Sequence, residues 1–424
     1  MTQSQSPLIE IRPFEMDRDL KAIKRLWREV AWIEDKSDAK VLKHFFGCGS
    51  TLTAAMNGAA ECAVHTTPGT LRLLRTDLPL CAVTAVTTSR IARGHALARR
   101  LTALQLAAGA GEGAAIASLG MFDQGFYDQL GFANGSYSHE LRFDPGQLKV
   151  NQRVRTPVRL KRSDYEEMHQ ALCRRLKHHG AVVLDPPSLM RAEFGFVEEG
   201  FGLGYRDDAG ELTHFMWLSA DGEHGPYEIP WLCYRDGAQL LELLGLLKSL
   251  ADQVYAVELE EPPGLQLQAL LDRPFRHRRL TRDGNLGGYH YGAAWWQFRV
   301  LDVPACVAAL RVPQPIEFAL ELRDPVTEIL MRERDAEIAG DWRGVGGRYR
   351  VALGPEGSAA EPLAQLPGEL PRLAAGVGAF TRLLWGVVPA STLALAEDLA
   401  APAPLLAALD DGIRLPRCVP GWDH

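Results

Sequence analysis

Residues 80–101 read LCAVTAVTTSRIARGHALARRL. An apolar, β-branched run of strand type passes through an Arg-Gly-His-Ala turn straight into a helix whose first turn carries Arg99 and Arg100. This order constrains the fold more than any other stretch, because a strand that feeds a helix N-terminus belongs to a layered α/β architecture. It also makes a chemical offer. The first N–H groups of a helix have no intrahelical partner, and the helix dipole is positive there, so such a turn attracts anions. Gly94 lets the backbone approach a ligand closely, and Arg93, Arg99 and Arg100 add positive charge. The plain alternative is an ordinary strand–turn–helix unit that happens to hold a glycine and a few arginines.

Composition narrows the classes. A chain of 424 residues exceeds one ordinary domain, and two or three are expected. The apolar fraction of 46% and charged fraction of 23% are those of a globular protein. A net charge of −7 argues against a nucleic-acid partner, which selects for a basic surplus. MTQSQSPLIEIRPFEMDRDL lacks the basic start and apolar stretch of a secretion leader, and charges or prolines interrupt every apolar run before it reaches membrane-spanning length. The seven cysteines are scattered without a CxxC pair, which predicts buried thiols in a reducing cytoplasm, no disulfide and no metal site.

Three blocks follow one another. The first opens with the strand LIEIRPF, the amphipathic helix DRDLKAIKRLWREVAWI and a second helix near 38–46. Strands follow near 50–56, 61–66, 70–75 and 80–86, then a helix over 94–109, the strand AAIASLG, the helix GFYDQLGF and the strand SYSHELRF. FDPGQLKVNQRVRTPVRL reads as a linker. The second block repeats the element order, with a helix over 163–179, the strands FVEEGFGLGYRD, ELTHFMWLSA and GPYEIPWLCYRD, the helix GAQLLELLGLLKSLADQ and the strand VYAVELEE. Its helix start, YRDGAQ, keeps one glycine without clustered arginines after it, so a phosphate site there is expected to be lost. The third block runs through FRVLDVPACVAAL, PIEFALELRD and GRYRVALG to the expected helices RLAAGVGAFTRLLWG, PASTLALAEDL and PAPLLAALDDGI, a small α+β pattern.

About thirty residues beyond the arginine turn comes MFDQGFYDQLGFANGS, with Phe126, Tyr127, Gly131 and Phe132 in the pattern aromatic–Tyr–x–x–x–Gly–aromatic. With the turn, this resembles the GNAT superfamily of acetyl-CoA-dependent N-acetyltransferases, and more narrowly the enhanced intracellular survival (Eis)-like group. The resemblance implies two tandem GNAT folds, an active one at 1–148 and a degenerate one at 149–297, followed by a sterol-carrier-protein-like α+β domain at 298–424. It implies acetyl-CoA as co-substrate, no metal, an amine acceptor that is a small molecule or a peptide, and a homo-oligomer, a hexamer in the group.

Carried over residue by residue, the resemblance places the pantetheine arm on Thr84, Ala85 and Val86. It places the pyrophosphate on Ala92, Arg93, Gly94, His95, Ala96 and Leu97, and a further CoA contact on Phe122 and Asp123. The family pattern has Arg or Gln three residues before the glycine; here Ile91 stands there and Arg90 lies one residue early. Phe122 stands where the group often has a small polar residue. Tyr127 is implied as the general acid. The thioester's leaving thiolate has a reference pKa of about 8.5, and proton donation to it contributes about 10²–10⁴-fold. The implied base is the α-carboxylate of the last residue, His424, which replaces the aromatic apolar residue usual at that place; the imidazole of His424 is the other candidate. Trp422, Pro416 and Pro420 favour a docked tail.

Acceptor binding is assigned to the segment between the first two helices, where Glu34 and Asp35 offer charge to a cationic amine and Trp32 or Trp27 offers a face to its stem. A solvated turn is the alternative there. His65 is expected as a packed core histidine and His178–His179 as a surface pair. Two rival readings remain: an acyltransferase for another acyl-CoA or for a protein lysine, and a non-catalytic CoA- or lipid-binding protein on the same fold.

Overall fold

The computed structural model describes residues 8–33, 39–196, 200–274, 284–333, 338 and 340–422. The strands, in chain order, are β1 (Ile9–Pro13), β2 (Ser50–Met56), β3 (Ala59–Leu73), β4 (Thr76–Thr88), β5 (Ile116–Gly120), β6 (Ala133–Asn134), β7 (Ser138–Phe143), β8 (Val158–Leu160), β9 (Val182–Leu184), β10 (Phe201–Arg206), β11 (Leu212–Ala220), β12 (Tyr227–Cys233), β13 (Val257–Glu260), β14 (Tyr289–Ala293), β15 (Trp296–Val300), β16 (Ile316–Arg323), β17 (Gly347–Leu353), β18 (Ala359–Pro362), β19 (Arg372–Gly376) and β20 (Leu399–Ala400). The helices are α1 (Met16–Glu29), α2 (Ala39–Phe46), α3 (Leu97–Gly111), α4 (Gln124–Asp128), α5 (Tyr165–Cys173), α6 (Pro187–Phe196), α7 (Gly237–Ser249), α8 (Val303–Ala308), α9 (Pro325–Arg332), α10 (Val377–Leu384), α11 (Ala390–Ala396) and α12 (Ala403–Gly412).

The chain divides into two compact units. The larger holds 1–135, 179–186 and 295–424, with two sheets. Its first sheet runs β1-β2-β3-β4-β5-β15-β6, with β9 pairing β3 off that path, and its second runs β18-β17-β16-β19-β20. The other unit, 136–178 and 187–294, holds one sheet in the order β14-β7-β13-β12-β11-β10-β8. Its core joins Leu243, Leu244 and Leu247 of α7 to Met216, Leu218 and Leu259 of the sheet.

In the first sheet, α1 buries Ile23, Leu26 and Trp27, the i, i+3, i+4 set of one helix face, and leaves Lys21, Arg25 and Arg28 exposed. A two-pronged pair fixes α1 to β1: Arg12 Nη1 and Nη2 donate to Asp19 Oδ2 and Oδ1 at 2.7 and 2.9 Å. Leu97, Leu101 and Leu104 of α3 are buried in the core that includes Val64 and Val83 of β3 and β4. The parallel pair β4–β5, joined through α3, is the unit on which the site is built.

Four sequence expectations change. The two strands expected at 61–66 and 70–75 are one, β3; the Pro68-Gly69 pair does not turn but gives β9 room to pair, since a Cβ on Gly69 would lie 2.2 Å from the Val183 carbonyl oxygen. Ser138–Phe143 is a strand, yet it pairs with β13 and β14 in the second unit and not with the strands before it. Trp296–Val300, from the junction of the second and third blocks, enters the first sheet between β5 and β6. Arg372–Gly376, expected as helix, is strand β19 and pairs in parallel with β16.

His179 is also not at the surface. It is buried, accepting from Leu74 N at 3.2 Å through Nδ1 and meeting the Trp385 carbonyl at 3.0 Å through Nε2. Beside it the C-terminal tail docks. Val419 N donates to the His179 carbonyl at 3.3 Å, Val182 N donates to the Pro420 carbonyl at 2.9 Å, and Cys418 and Trp422 are buried. Gly180 is left-handed (φ +89°), and a Cβ there would meet Val419 N at 2.5 Å.

Candidate active site

The site begins with a defect in β4. Its pairing with β3 runs His65↔Thr84 and then Ala63↔Thr87, so Ala85 and Val86 together oppose one residue. Ala85 is left-handed (φ +52°), uncommon for a residue with a Cβ, and Thr87 Oγ1 donates to its carbonyl at 3.0 Å. On the opposite edge, the parallel ladder to β5 ends at Ala82↔Ser118, six residues before β4 itself ends at Thr88. The backbone of β4 past Ala82 is thereby released from β5 on the side where the turn leads.

That turn is a short 3₁₀ segment, Arg90–Ala92, then Arg93, Gly94 (φ +87°), His95 and Ala96 (φ +55°), before α3. Gly94 and Ala96 are left-handed on either side of His95, and α3 begins without a side-chain cap, so its first N–H groups are left for an anion. A Cβ on Gly94 would meet no protein atom within 4 Å, so the space above it is open. Arg99 Nε is buried without a hydrogen-bond partner. Arg100, read as a third positive group of the turn, is instead committed elsewhere: its Nε and Nη2 donate to the Glu333 carboxylate at 2.7 and 2.8 Å. Arg90 is also taken, its Nη2 donating to the Glu29 carbonyl at 3.0 Å, while Ile91, at the place of the family's Arg or Gln, is exposed.

A cavity of about 500 Å³ runs from the strand end over this turn. Of the residues expected to bind CoA, Val86, Ala92, Arg93, Gly94, Ala96, Leu97, Phe122 and Asp123 line it, whereas Thr84, Ala85 and His95 do not. Sequence reasoning missed Val30, Thr87, Thr88, Ala98 and Phe126 as wall residues, and had Arg99 only as nearby charge. Thr87 and Thr88 were within reach, since they continue the same strand end. Trp32 lines the cavity, half-exposed, with its ring edge-on to Trp27 at 5.4 Å. Glu34, Asp35 and His424 lie outside the described residues.

Tyr127 does not line the cavity; it is buried one layer behind, among Phe126, Phe122 and Phe132 at ring distances of 4.9, 6.0 and 6.2 Å. Burial, with the Asp123 carboxylate adding to it, pushes its phenol well above the ordinary tyrosine value, so it keeps its proton. Phe122 and Phe126 both touch Tyr127 and face the cavity, Phe122 being largely exposed. His65 is the packed histidine expected. It is fully buried between Phe45 and Phe46, with Thr51 at Nδ1 (2.7 Å) and Thr67 at Nε2 (3.3 Å), and burial pushes it down to about 4.

The comparable helix start in the second unit is closed. The Asp236 carboxylate caps α7, accepting from Gln239 N at 2.9 Å, so the positive end of that helix already holds an anion of its own. Among the described residues no helix is long and apolar enough to cross a membrane, and no group of three or more His, Cys, Asp or Glu is placed to hold a metal ion.

No family profile and no curated protein matches the sequence. Solved structures do. A GCN5-related N-acetyltransferase from Kribbella flavida aligns over 100% of both chains with a TM-score of 0.76 at 16% identity. A probable N-acyltransferase from Enterococcus faecalis V583 aligns over 97% of this chain and 98% of its own, with a TM-score of 0.76 at 14% identity. Eis1 from Mycobacterium abscessus aligns over 98% of this chain and 100% of its own, with a TM-score of 0.75 at 17% identity. At these identities the likeness is one of fold: over nearly its whole length, this chain has the fold of GNAT N-acetyltransferases.

Proposed function

We propose that the chain is an acetyl-CoA-dependent N-acetyltransferase of the Eis-like plan, acting through a ternary complex of acetyl-CoA and an amine in its N-terminal GNAT fold. The observation that carries this reading is the backbone path from the Ala85 bulge to the left-handed Gly94–Ala96 turn, with β4 released from β5 beside it. The turn fits a pyrophosphate by its chemistry: first-turn N–H groups, open space over Gly94, and a buried Arg99 Nε without a partner. The Asp236 cap on α7 supports a single such site per chain.

In the reaction the neutral amine attacks the thioester carbonyl carbon, and the carbon–sulfur bond breaks as the amide forms. Backbone N–H groups of the bulged strand are suited to polarise the carbonyl. Tyr127, held protonated by burial, gives its proton to the departing thiolate, and the α-carboxylate of His424 takes the proton from the amine. For the phenol to reach the thiolate, the rings that both touch Tyr127 and line the cavity, Phe122 and Phe126, must make room, and Phe122 is the exposed one. Trp32, Glu34 and Asp35 receive the amine. The stretch 149–297, apart from β9 and the part of β15 it holds, which pair in the first sheet, is read as the degenerate GNAT fold, and 298–424 as the sterol-carrier-protein-like domain.

The test is a panel of primary amines and lysine peptides with acetyl-CoA, read as release of free thiol and as acetylated product. Release of thiol matched by one acetyl group on the amine is expected. Thiol release with no acetylated amine, or turnover only with longer acyl-CoAs, would replace this reading with one of its rivals.

A further inference from the structure

Tyr127 sits on α4, a helix of five residues, far too short to hold its own position in water. What holds it comes from 170 residues later in the sequence. β15 pairs with β5 on one side and with β6 on the other, and its side chains Gln297 and Arg299 are both completely buried. Two residues apart on a strand, they project to the same face, and that face meets the turn that carries Tyr127.

Gln297 Nε2 donates to Asp128 Oδ1 and to Asn134 Oδ1, each at 2.8 Å, joining the residue next to Tyr127 to β6. Arg299 Nη1 donates to the Leu130 carbonyl. Leu130 N in turn donates to the Tyr127 carbonyl at 2.9 Å, and Phe132 N to the same oxygen at 3.3 Å. The other arm of Arg299 is anchored: Nη2 donates to Asp324 Oδ2 at 2.6 Å, with both side chains wholly buried. Asp324 is itself fixed by Val326 N and Val345 N at 3.1 and 2.9 Å. Gly131 (φ +78°) lets the turn pass, since a Cβ there would stand 3.0 Å from Arg299 Nη1 and 2.4 Å from Val377 Cγ1.

We infer that Gln297 and Arg299 are positioning residues for the acetyl transfer: they set the place of the Tyr127 phenol, with Asp324 as the anchor supplied by the C-terminal third of the chain. The inference rests on the acetyl-transfer reading above for its kinetic consequence, but not for its structural one. A shift of about 1 Å in a reacting group costs on the order of 10²-fold in rate. The clamp touches neither the Gly94 turn nor the cavity wall around it, so binding of acetyl-CoA is separable from it.

The test uses the full-length protein. Arg299→Met combined with Asp324→Asn removes both buried charges together, which avoids stranding one, and the amide keeps an acceptor for the α9 cap. Gln297→Met is the second variant and leaves the ion pair intact. For each, kcat and the acetyl-CoA dissociation constant are measured, and a fluorotyrosine replacing Tyr127 is titrated by fluorine NMR. The expected result is a kcat lower by about tenfold or more in the double variant, with acetyl-CoA affinity within about twofold of the parent. Arg299→Lys is expected to retain more kcat than the double variant, because one buried donor remains. The fluorine resonance should move in both clamp variants and titrate at lower pH than in the parent. An unmoved resonance with an unchanged titration, or equal loss of kcat and of acetyl-CoA binding, overturns the inference. If the parent acetylates no amine, the transfer reading fails by itself, and the fluorine measurement still decides the positioning.

Discussion

Arg99 and Arg100 are neighbours in the first turn of α3 with opposite commitments: Arg100 closes a two-pronged ion pair on Glu333, whereas Arg99 turns into the cavity with its Nε buried and unsatisfied. A buried donor without a partner is costly unless a ligand completes it. Arg99→Ala is therefore expected to weaken acetyl-CoA binding by about tenfold, the value of a hydrogen bond to a charged group, with little change in melting temperature. Arg100→Ala should do the reverse, destabilising the fold by about 1–3 kcal/mol by stranding the nearly buried Glu333 while leaving acetyl-CoA affinity in place. Calorimetry and thermal melts on the two variants separate the roles; equal effects on binding would contradict them.

Tyr127→Phe keeps the ring among Phe122, Phe126 and Phe132 and removes only the proton. kcat should fall by about tenfold or more with acetyl-CoA affinity retained. The pH dependence has a definite sign. A phenol pushed above its ordinary value stays protonated through neutral and mildly basic pH, so the acid does not limit the rate there. The parent's rate should rise as the amine loses its proton and then level, with no fall near pH 8–9 from loss of the acid. A kcat unchanged across the pH range in Tyr127→Phe would move the acid to another group or to water.

His65 gives a stability prediction away from the chemistry. Its folded value, about 4, lies below the unfolded reference of about 6.5, so the fold favours the neutral imidazole. Its contribution is complete above about pH 6.5 and declines as pH falls toward 4, by roughly 3 kcal/mol over that window. Denaturant titrations of the parent should show this loss. The His65 ring proton should titrate in NMR only near the low end of the window, and a midpoint near 6.5 would refute the packed, neutral histidine.

The first sheet was largely legible because its signals are local. The periodicity of Ile23, Leu26 and Trp27 marks α1, and the apolar run over 80–86 marks the middle of β4. What the sequence hid were relations set by partners far along the chain. Ser138–Phe143 alternates like any strand, but nothing in it names β13 and β14 as its neighbours. Pro68-Gly69 looks like a turn until β9 arrives to pair there. Arg372–Gly376 is small and apolar enough to read as helix, and becomes a strand because β16 offers a parallel edge. In the site, the Gly94 turn was legible by residue type. The Ala85 bulge and the recessed place of Tyr127 were not, because both depend on three-dimensional packing.

The tail prediction concerns the end of the chain. Cys418, Val419 and Trp422 dock beside β9, two residues short of His424. If the α-carboxylate of His424 is the base, His424→Phe stays active, whereas deleting the last four residues or adding a short Gly/Ser extension abolishes turnover. Loss of activity in His424→Phe with an active extension assigns the role to the imidazole. Full activity in all three variants removes the tail from the mechanism.

The most direct test of the account is calorimetric titration of acetyl-CoA into the parent and into Gly94→Val. At φ +87° a β-branched residue is strained by about 1–3 kcal/mol, yet a Cβ there would meet no protein atom within 4 Å, so the fold should survive while the added methyls fill the space over the turn. The account predicts one acetyl-CoA per chain for the parent and an affinity at least about tenfold weaker for Gly94→Val, because the Asp236-capped second unit offers no substitute site. Unchanged affinity in a folded Gly94→Val, or two equal sites per chain in the parent, would contradict it.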